Sequence, residues 1–114
     1  MGLLPGADKA VVPLEKLRDY SLDLNHPVGK HKARVFAAAL GMTRDDALRL
    51  KEMILRAILA NDAILSGANS HGTRYSVDFQ ALGARGPVTI RTAWIIDSGE
   101  IIPRLTSCYI RGTL

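Results

Sequence analysis

Tyr75-Ser76-Val77-Asp78-Phe79-Gln80, Val88-Thr89-Ile90-Arg91-Thr92-Ala93-Trp94-Ile95-Ile96 and Leu105-Thr106-Ser107-Cys108-Tyr109 are the stretches on which the fold turns. The first alternates with period two, and the others are rich in β-branched and aromatic residues, so each predicts a strand. Gly83-Ala84-Arg85-Gly86 and Asp97-Ser98-Gly99-Glu100 between them carry the glycine that tight hairpins need. An antiparallel meander follows.

Symmetry about Ala84-Arg85 sets Phe79 opposite Ile90, Val77 opposite Thr92 and Tyr75 opposite Trp94. Symmetry about Ser98-Gly99 sets Ile90 opposite Ser107, Thr92 opposite Leu105 and Val88 opposite Tyr109. Side chains alternate along a strand, so these residues share one face, and that face is mostly apolar. The other face then holds Arg74, Ser76, Asp78 and Gln80, next Thr89, Arg91 and Ala93, and last Arg104, Thr106 and Cys108. Asp78, Arg91 and Thr106 form one row of it, and Arg104 is left without a partner.

Upstream, Leu3 to Asp8 reads as a loop and Lys9 to Val12 as a short edge strand. Pro13 suits the first turn of a helix reaching Tyr20, and Pro27 and Gly29 break the next segment. A second helix is predicted over Lys30 to Leu40, ended by Gly41. Thr43 is a good N-cap, with Asp45 and Asp46 in the first turn, for a third helix to about Ala60 whose stripe is Ala47, Leu50, Ile54, Ala57 and Ile58. Asn61 to Thr73, including Gly67, Asn69 and Gly72, reads as a long loop. The fold class is α+β: two or three N-terminal helices packed on one face of an antiparallel C-terminal meander of three to four strands, over 1–114 as a single domain. Covering one face leaves the arginine-bearing face open.

Of the 114 residues, 47% are hydrophobic and 23% charged, which is the balance of a soluble globular domain with one core. No apolar run approaches the ~20 residues that cross a bilayer, and no secretory leader pattern is present, so a cytoplasmic chain, or a module of a larger one, without membrane contact is expected. Cys108 has no partner for a disulfide and suits a small buried hydrophobe. A net charge of +4 biases the chain toward anionic partners.

Two basic groups carry the chemistry. His26-Pro27-Val28-Gly29-Lys30-His31-Lys32, with Arg34, is a glycine-containing loop opening a helix, where N–H groups and cations are both available to a phosphate. The sheet face offers Arg74, Arg91 and Arg104 beside Thr89, Thr106 and Ser76. Arginine binds phosphate through two nitrogens and stays charged, which suits a phosphorane-like transition state. His31 and His71, apart from His26, are the side chains that titrate near neutrality. No histidine pair has i, i+4 spacing and the acids are scattered, so neither a metal nor another cofactor is expected.

Leu4-Pro5-Gly6-Ala7-Asp8-Lys9-Ala10, Asn25-His26-Pro27-Val28-Gly29-Lys30-His31-Lys32-Ala33 and Trp94…Gly99…Pro103-Arg104-Leu105-Thr106-Ser107-Cys108-Tyr109 are similar to the start, centre and end of an uncharacterised bacterial domain family. Asn25 stands where that family usually has an acid. More distantly, helices first, a basic helix start and a terminal meander resemble the small bacterial toxin ribonucleases of the barnase, EndoU, colicin and RelE-type fold. That resemblance implies metal-independent RNA cleavage with the 2′-hydroxyl as nucleophile, and a cognate acidic antitoxin or immunity protein. Its members differ in catalytic residues, so it assigns none here.

The residues themselves assign His31 or His71 as general base or acid, Arg91 and Arg104 to the scissile phosphate, Thr106 to a hydrogen bond, and Lys30, Lys32, Arg34 and Arg74 to flanking phosphates. Two other readings stay open: a non-catalytic module for a protein partner or anionic ligand, and a homo-oligomer that buries the sheet face.

Overall fold

The computed structural model describes residues 2–111. Pro13 opens α1 (Leu14–Lys16), which passes directly into a π-helical turn, Leu17–Ser21. α2 spans Lys30–Leu40, and Gly41 closes it in the left-handed conformation, φ 64°. Thr43 and Asp46 then form a reciprocal capping box, the Thr43 N–H donating to Asp46 Oδ2 at 2.8 Å. A 3-10 turn, Arg44–Asp46, leads into α3, Ala47–Ala57, and the chain turns on through Ala60. Ala47, Leu50, Ile54 and Ile58 of the expected stripe are buried.

Four strands follow: β1 (Ala63–Asn69), β2 (Gly72–Gly83), β3 (Gly86–Asp97) and β4 (Arg104–Arg111), an antiparallel meander in the order β1-β2-β3-β4. The helices precede the sheet and bury one of its faces. Phe36 from α2, Leu50 and Ile54 from α3 and Leu17 share one core with Val77, Ile90, Trp94 and Leu105. Inside it, Trp94 Nε1 donates to Thr92 Oγ1 at 2.8 Å, and that hydroxyl donates to the Val77 carbonyl at 2.8 Å, so the two polar groups buried there satisfy each other.

The first hairpin has the expected register, with Phe79 opposite Ile90, Val77 opposite Thr92, Tyr75 opposite Trp94 and Asp78 opposite Arg91. The second does not. Trp94 faces Leu105, but Ala93 faces Ser107, so Thr106 is an extra residue in a β-bulge. Beyond it Thr92 faces Cys108, Arg91 faces Tyr109 and Ile90 faces Ile110. The bulge exchanges the two faces along the rest of β4: Cys108 turns into the core and Tyr109 turns out, the reverse of the sequence expectation. The connection is also longer than a tight turn, running from Ser98 to Pro103.

Asn61 to Thr73 is not a loop, because Ala63–Asn69 pairs with β2 and supplies the fourth strand. The expected edge strand at Lys9 to Val12 is reduced to a 3-10 turn, Ala7–Lys9, and a single parallel bridge between Val11 and Arg104. That bridge seals the outer edge of β4: the Val11 N–H donates to the Pro103 carbonyl at 2.9 Å, and the Leu105 N–H donates to the Val11 carbonyl at 3.0 Å. Ser21 Oγ continues the seal with a 2.8 Å bond to the Cys108 carbonyl.

Candidate functional site

The loop between the π-helical turn and α2 is tied down by His26. Its Nδ1 accepts from the backbone N–H groups of Val28, at 3.0 Å, and Gly29, at 2.9 Å. An imidazole nitrogen that accepts carries no proton, so the neutral ring holds its hydrogen on Nε2. The same ring packs edge-on against Tyr20, centroids 4.8 Å apart at 76°. Gly29 makes this packing available, because a Cβ there would collide with the Tyr20 carbonyl. His-Pro-x-Gly is thus a local clamp between the π-helical turn and the start of α2.

Lys32, in the first turn of α2, crosses to the sheet. Its Nζ donates to the Tyr20 hydroxyl at 3.3 Å and stands 4.9 Å from the Tyr20 ring centroid and 5.5 Å from that of Tyr109. Tyr109 lies on the open face because of the bulge, directly opposite Arg91. Arg91 grips Asp78 with Nε at 2.8 Å and Nη2 at 3.0 Å, and Arg111 reaches the same carboxylate with Nη1 at 3.0 Å. The Arg91 bond, with help from Arg111, holds the Asp78 carboxyl below the usual carboxylate range, and Asp78 in turn raises Arg91 further. Arg91 keeps Nη1, the nitrogen that Asp78 does not occupy. Tyr20, Lys32, Tyr109 and Arg91 therefore form one continuous row of phenols and cations where the start of α2 meets the open face.

Next to that row is a cleft of about 650 Å³ between α2 and the β2–β3 turn. Arg34 on α2, Arg85 in the turn and Arg111 on β4 line it, over a floor of Val35, Ala38, Ala39, Pro87 and Val88. The turn comes this close to α2 because residue 83 is glycine; a Cβ there would strike the Ala39 carbonyl.

The residues singled out from sequence are divided by the fold. Arg91 and Lys32 join the row just described, and Arg34 joins the cleft. Lys30, half-buried, and His31, exposed, sit in the first turn of α2. Thr106, at the bulge, donates to the Ala93 carbonyl at 3.1 Å, and its place beside Arg91 is taken by Tyr109. Arg104 is not unpartnered, since its Nη2 bonds Asp97 Oδ2 at 3.2 Å. Arg74 and Arg104 flank Ile95, four residues along β3 from Arg91, a separation of roughly 13 Å. His71 lies in the β1–β2 turn, where its carbonyl accepts from the Ser98 N–H at 2.9 Å. That places it seven residues before Asp78 in the chain and roughly 23 Å from the Arg91 row.

Sequence reasoning missed Tyr20 and Tyr109 and gave His26 no particular role. A signal for His26 was present: a histidine two and three residues ahead of free N–H groups at a helix start is placed to cap them. Nothing marked Tyr109, whose face depends on an extra residue in β4. Burial leaves Cys108 fully enclosed and pushes its thiol up to about 12. Among the described residues no three His, Cys, Asp or Glu side chains cluster as a metal site requires, and no helix is long and apolar enough to cross a membrane.

Neither the curated proteins nor the solved structures contain a match to this chain. A family model does match, over residues 3–112, and by that match the chain belongs to a domain family of unknown function, DUF6883.

Proposed function

We propose that the chain is a metal-independent endoribonuclease domain whose working surface is the row of Lys32, Tyr109 and Arg91, with Tyr20 and His26 beside it. The observation that carries this reading is the Lys32 ammonium held over both tyrosine rings, with Tyr109 opposite Arg91. Cleavage by internal attack needs the 2′-hydroxyl to lose a proton, the 2′-oxygen to bond to phosphorus, and the 5′-oxygen to leave with a proton. The products are a 2′,3′-cyclic phosphate and a free 5′-hydroxyl. Charge accumulates on the phosphoryl oxygens, where Lys32 and the Arg91 Nη1 that Asp78 leaves open stabilise it. Tyr109, flanked by both cations, gives its hydroxyl proton to the departing 5′-oxygen and regains one from solvent, while water takes the proton that the 2′-hydroxyl loses. His26 is held as an Nε2–H donor and suits a hydrogen bond to a phosphate or sugar oxygen, since its Nδ1 is occupied by the backbone.

The test is incubation with tRNA in excess EDTA, with the 3′ ends analysed for cyclic phosphate. Wild-type protein cleaves and leaves such ends, and Lys32→Ala and Tyr109→Phe each reduce the rate at least ~100-fold, as loss of a proton-transfer or charge-stabilising group does. A DNA strand of the same sequence stays intact for want of the 2′-hydroxyl. RNA that is bound but never cut by micromolar protein would replace this reading with that of a binding module.

A further inference from the structure

Arg111 belongs to two places at once: it shares Asp78 with Arg91, and it forms a wall of the cleft between α2 and the β2–β3 turn. We infer that this cleft is a subsite for single-stranded RNA adjoining the scissile phosphate, taking backbone phosphates on Arg34, Arg85 and Arg111 and one base against Ala38, Pro87 and Val88. The inference rests on the cleavage reading for its choice of ligand.

Charge is the first argument. On the sheet face Arg91 and Arg111 share Asp78, each through part of its guanidinium, and Arg104 pairs with Asp97, while Arg74 lies beside Ile95, away from the cleft. Among the described residues neither Arg34 nor Arg85 forms an ion pair, and both are exposed at the cleft. Among the described residues no acidic side chain lines it. Two guanidinium groups free to bind, facing one acid-free cleft, fit phosphate oxygens, which arginine engages through two parallel N–H bonds.

Size and place are the second. A cleft of about 650 Å³ falls in the range of small-ligand sites and accommodates a nucleotide rather than a duplex. Its floor is aliphatic, so a base packs there without a hydrogen-bond code. Thr89, the cross-strand partner of Arg111, is two residues from Arg91, about 7 Å along the strand. A strand leaving Arg91 reaches the cleft within about two nucleotides at the 3.4 Å rise of a stacked chain. An acidic peptide would also find cations here, but it has no reason to continue onto Lys32 and Arg91, and RNA does.

The experiment uses 2′-O-methyl oligoribonucleotides of two, four and six nucleotides, which cannot be cleaved, with affinity read by fluorescence anisotropy across a salt series. The hexamer is expected to bind the Arg34→Ala/Arg85→Ala protein at least ~10-fold more weakly than wild type. The slope of log affinity against log salt should fall by about 0.7 for each arginine removed. Arg56→Ala, on the exposed side of α3, leaves both within about twofold. Because Arg34 and Arg85 are exposed, the double variant is expected to fold, and the single variants Arg34→Gln and Arg85→Gln give smaller losses of the same kind. With tRNA as substrate, the double variant raises KM while kcat holds.

Wild-type affinity and salt slope in the double variant would overturn the cleft. So would cleavage with an unaltered KM, which at the same time keeps the cleavage reading. Binding that depends on Arg34 and Arg85 in a protein that leaves tRNA intact keeps the cleft and ends the cleavage reading.

Discussion

Asp78 and Arg91 meet across the β2–β3 ladder in a two-point bond, Nε to Oδ1 at 2.8 Å and Nη2 to Oδ2 at 3.0 Å, with both side chains about a quarter exposed. A cross-strand pair of this kind contributes about 1 kcal/mol at most. Because the folded pKa of Asp78 is depressed, that stability is complete above the unfolded carboxylate value, about pH 4, and is lost as pH falls through the folded value. Asp46, lowered chiefly by the Thr43 N–H, acts in the same direction. Melting temperature is therefore expected to hold steady down to about pH 4 and decline below it. Asp78→Asn should lower it at pH 7 and flatten the acid slope; an unchanged value at pH 7 would show that the pair contributes nothing.

Gly29→Ala is expected to be severe. The new methyl group would meet backbone, the Tyr20 carbonyl, and backbone cannot swing aside, so we expect a loss of more than about 2 kcal/mol in denaturant unfolding. His26 acts in the same clamp through chemistry rather than shape. His26→Ala removes the acceptor of two N–H groups at a helix start, at a cost of about 0.5–2 kcal/mol, as loss of an N-terminal cap does. Asn at this position offers an acceptor oxygen to the same groups, so His26→Asn should recover most of that stability without the imidazole. Equal losses for Ala and Asn would mean that the ring packing on Tyr20, not the acceptor, is what matters.

Thr92→Val tests the polar pair in the core. The substitution keeps the volume and removes the acceptor of Trp94 Nε1, which is fully enclosed. An unpaired buried donor costs about 1–3 kcal/mol. Guanidinium unfolding followed by Trp94 fluorescence measures it directly, and a stability within 0.5 kcal/mol of wild type, about the scatter of a neutral surface change, would contradict the assignment.

Cys108 should be silent in the folded protein. Its thiol is enclosed and pushed up to about 12, so the thiolate that alkylating reagents need is scarce at pH 8. Iodoacetamide is expected to label it only under unfolding conditions. Labelling of native protein at the rate of a free thiol would place Cys108 back on the open face, where sequence alternation had put it.

That misplacement shows where reading the chain by pattern stops. Alternation in β2 and β3 and two glycines fixed the first hairpin residue for residue, down to Asp78 opposite Arg91. It failed in β4 because one extra residue, Thr106, shifts the period-two pattern by a step, and bulges leave no mark in composition. β1 was invisible for a different reason. Ala63-Ile64-Leu65-Ser66-Gly67-Ala68-Asn69 has weak strand propensity, and β2 imposes its conformation by pairing. α2 was legible to the residue, since Gly41 and an alanine-rich run are local signals. The row of Lys32, Tyr109 and Arg91 was legible only in part: its cations stood out in sequence, but their convergence depends on the strand with the hidden bulge.

The bridge between Val11 and Arg104 joins segments that lie almost a whole chain apart. Such a contact raises the contact order of the domain and makes its closure slow compared with a helical bundle. It also sets a sequence of events during synthesis. Lys32 is made early, but the ring of Tyr109 arrives on the last strand, after the other parts of the row have left the ribosome. The row of Lys32, Tyr109 and Arg91 is therefore complete only once β4 has paired with β3 and been closed off by Val11.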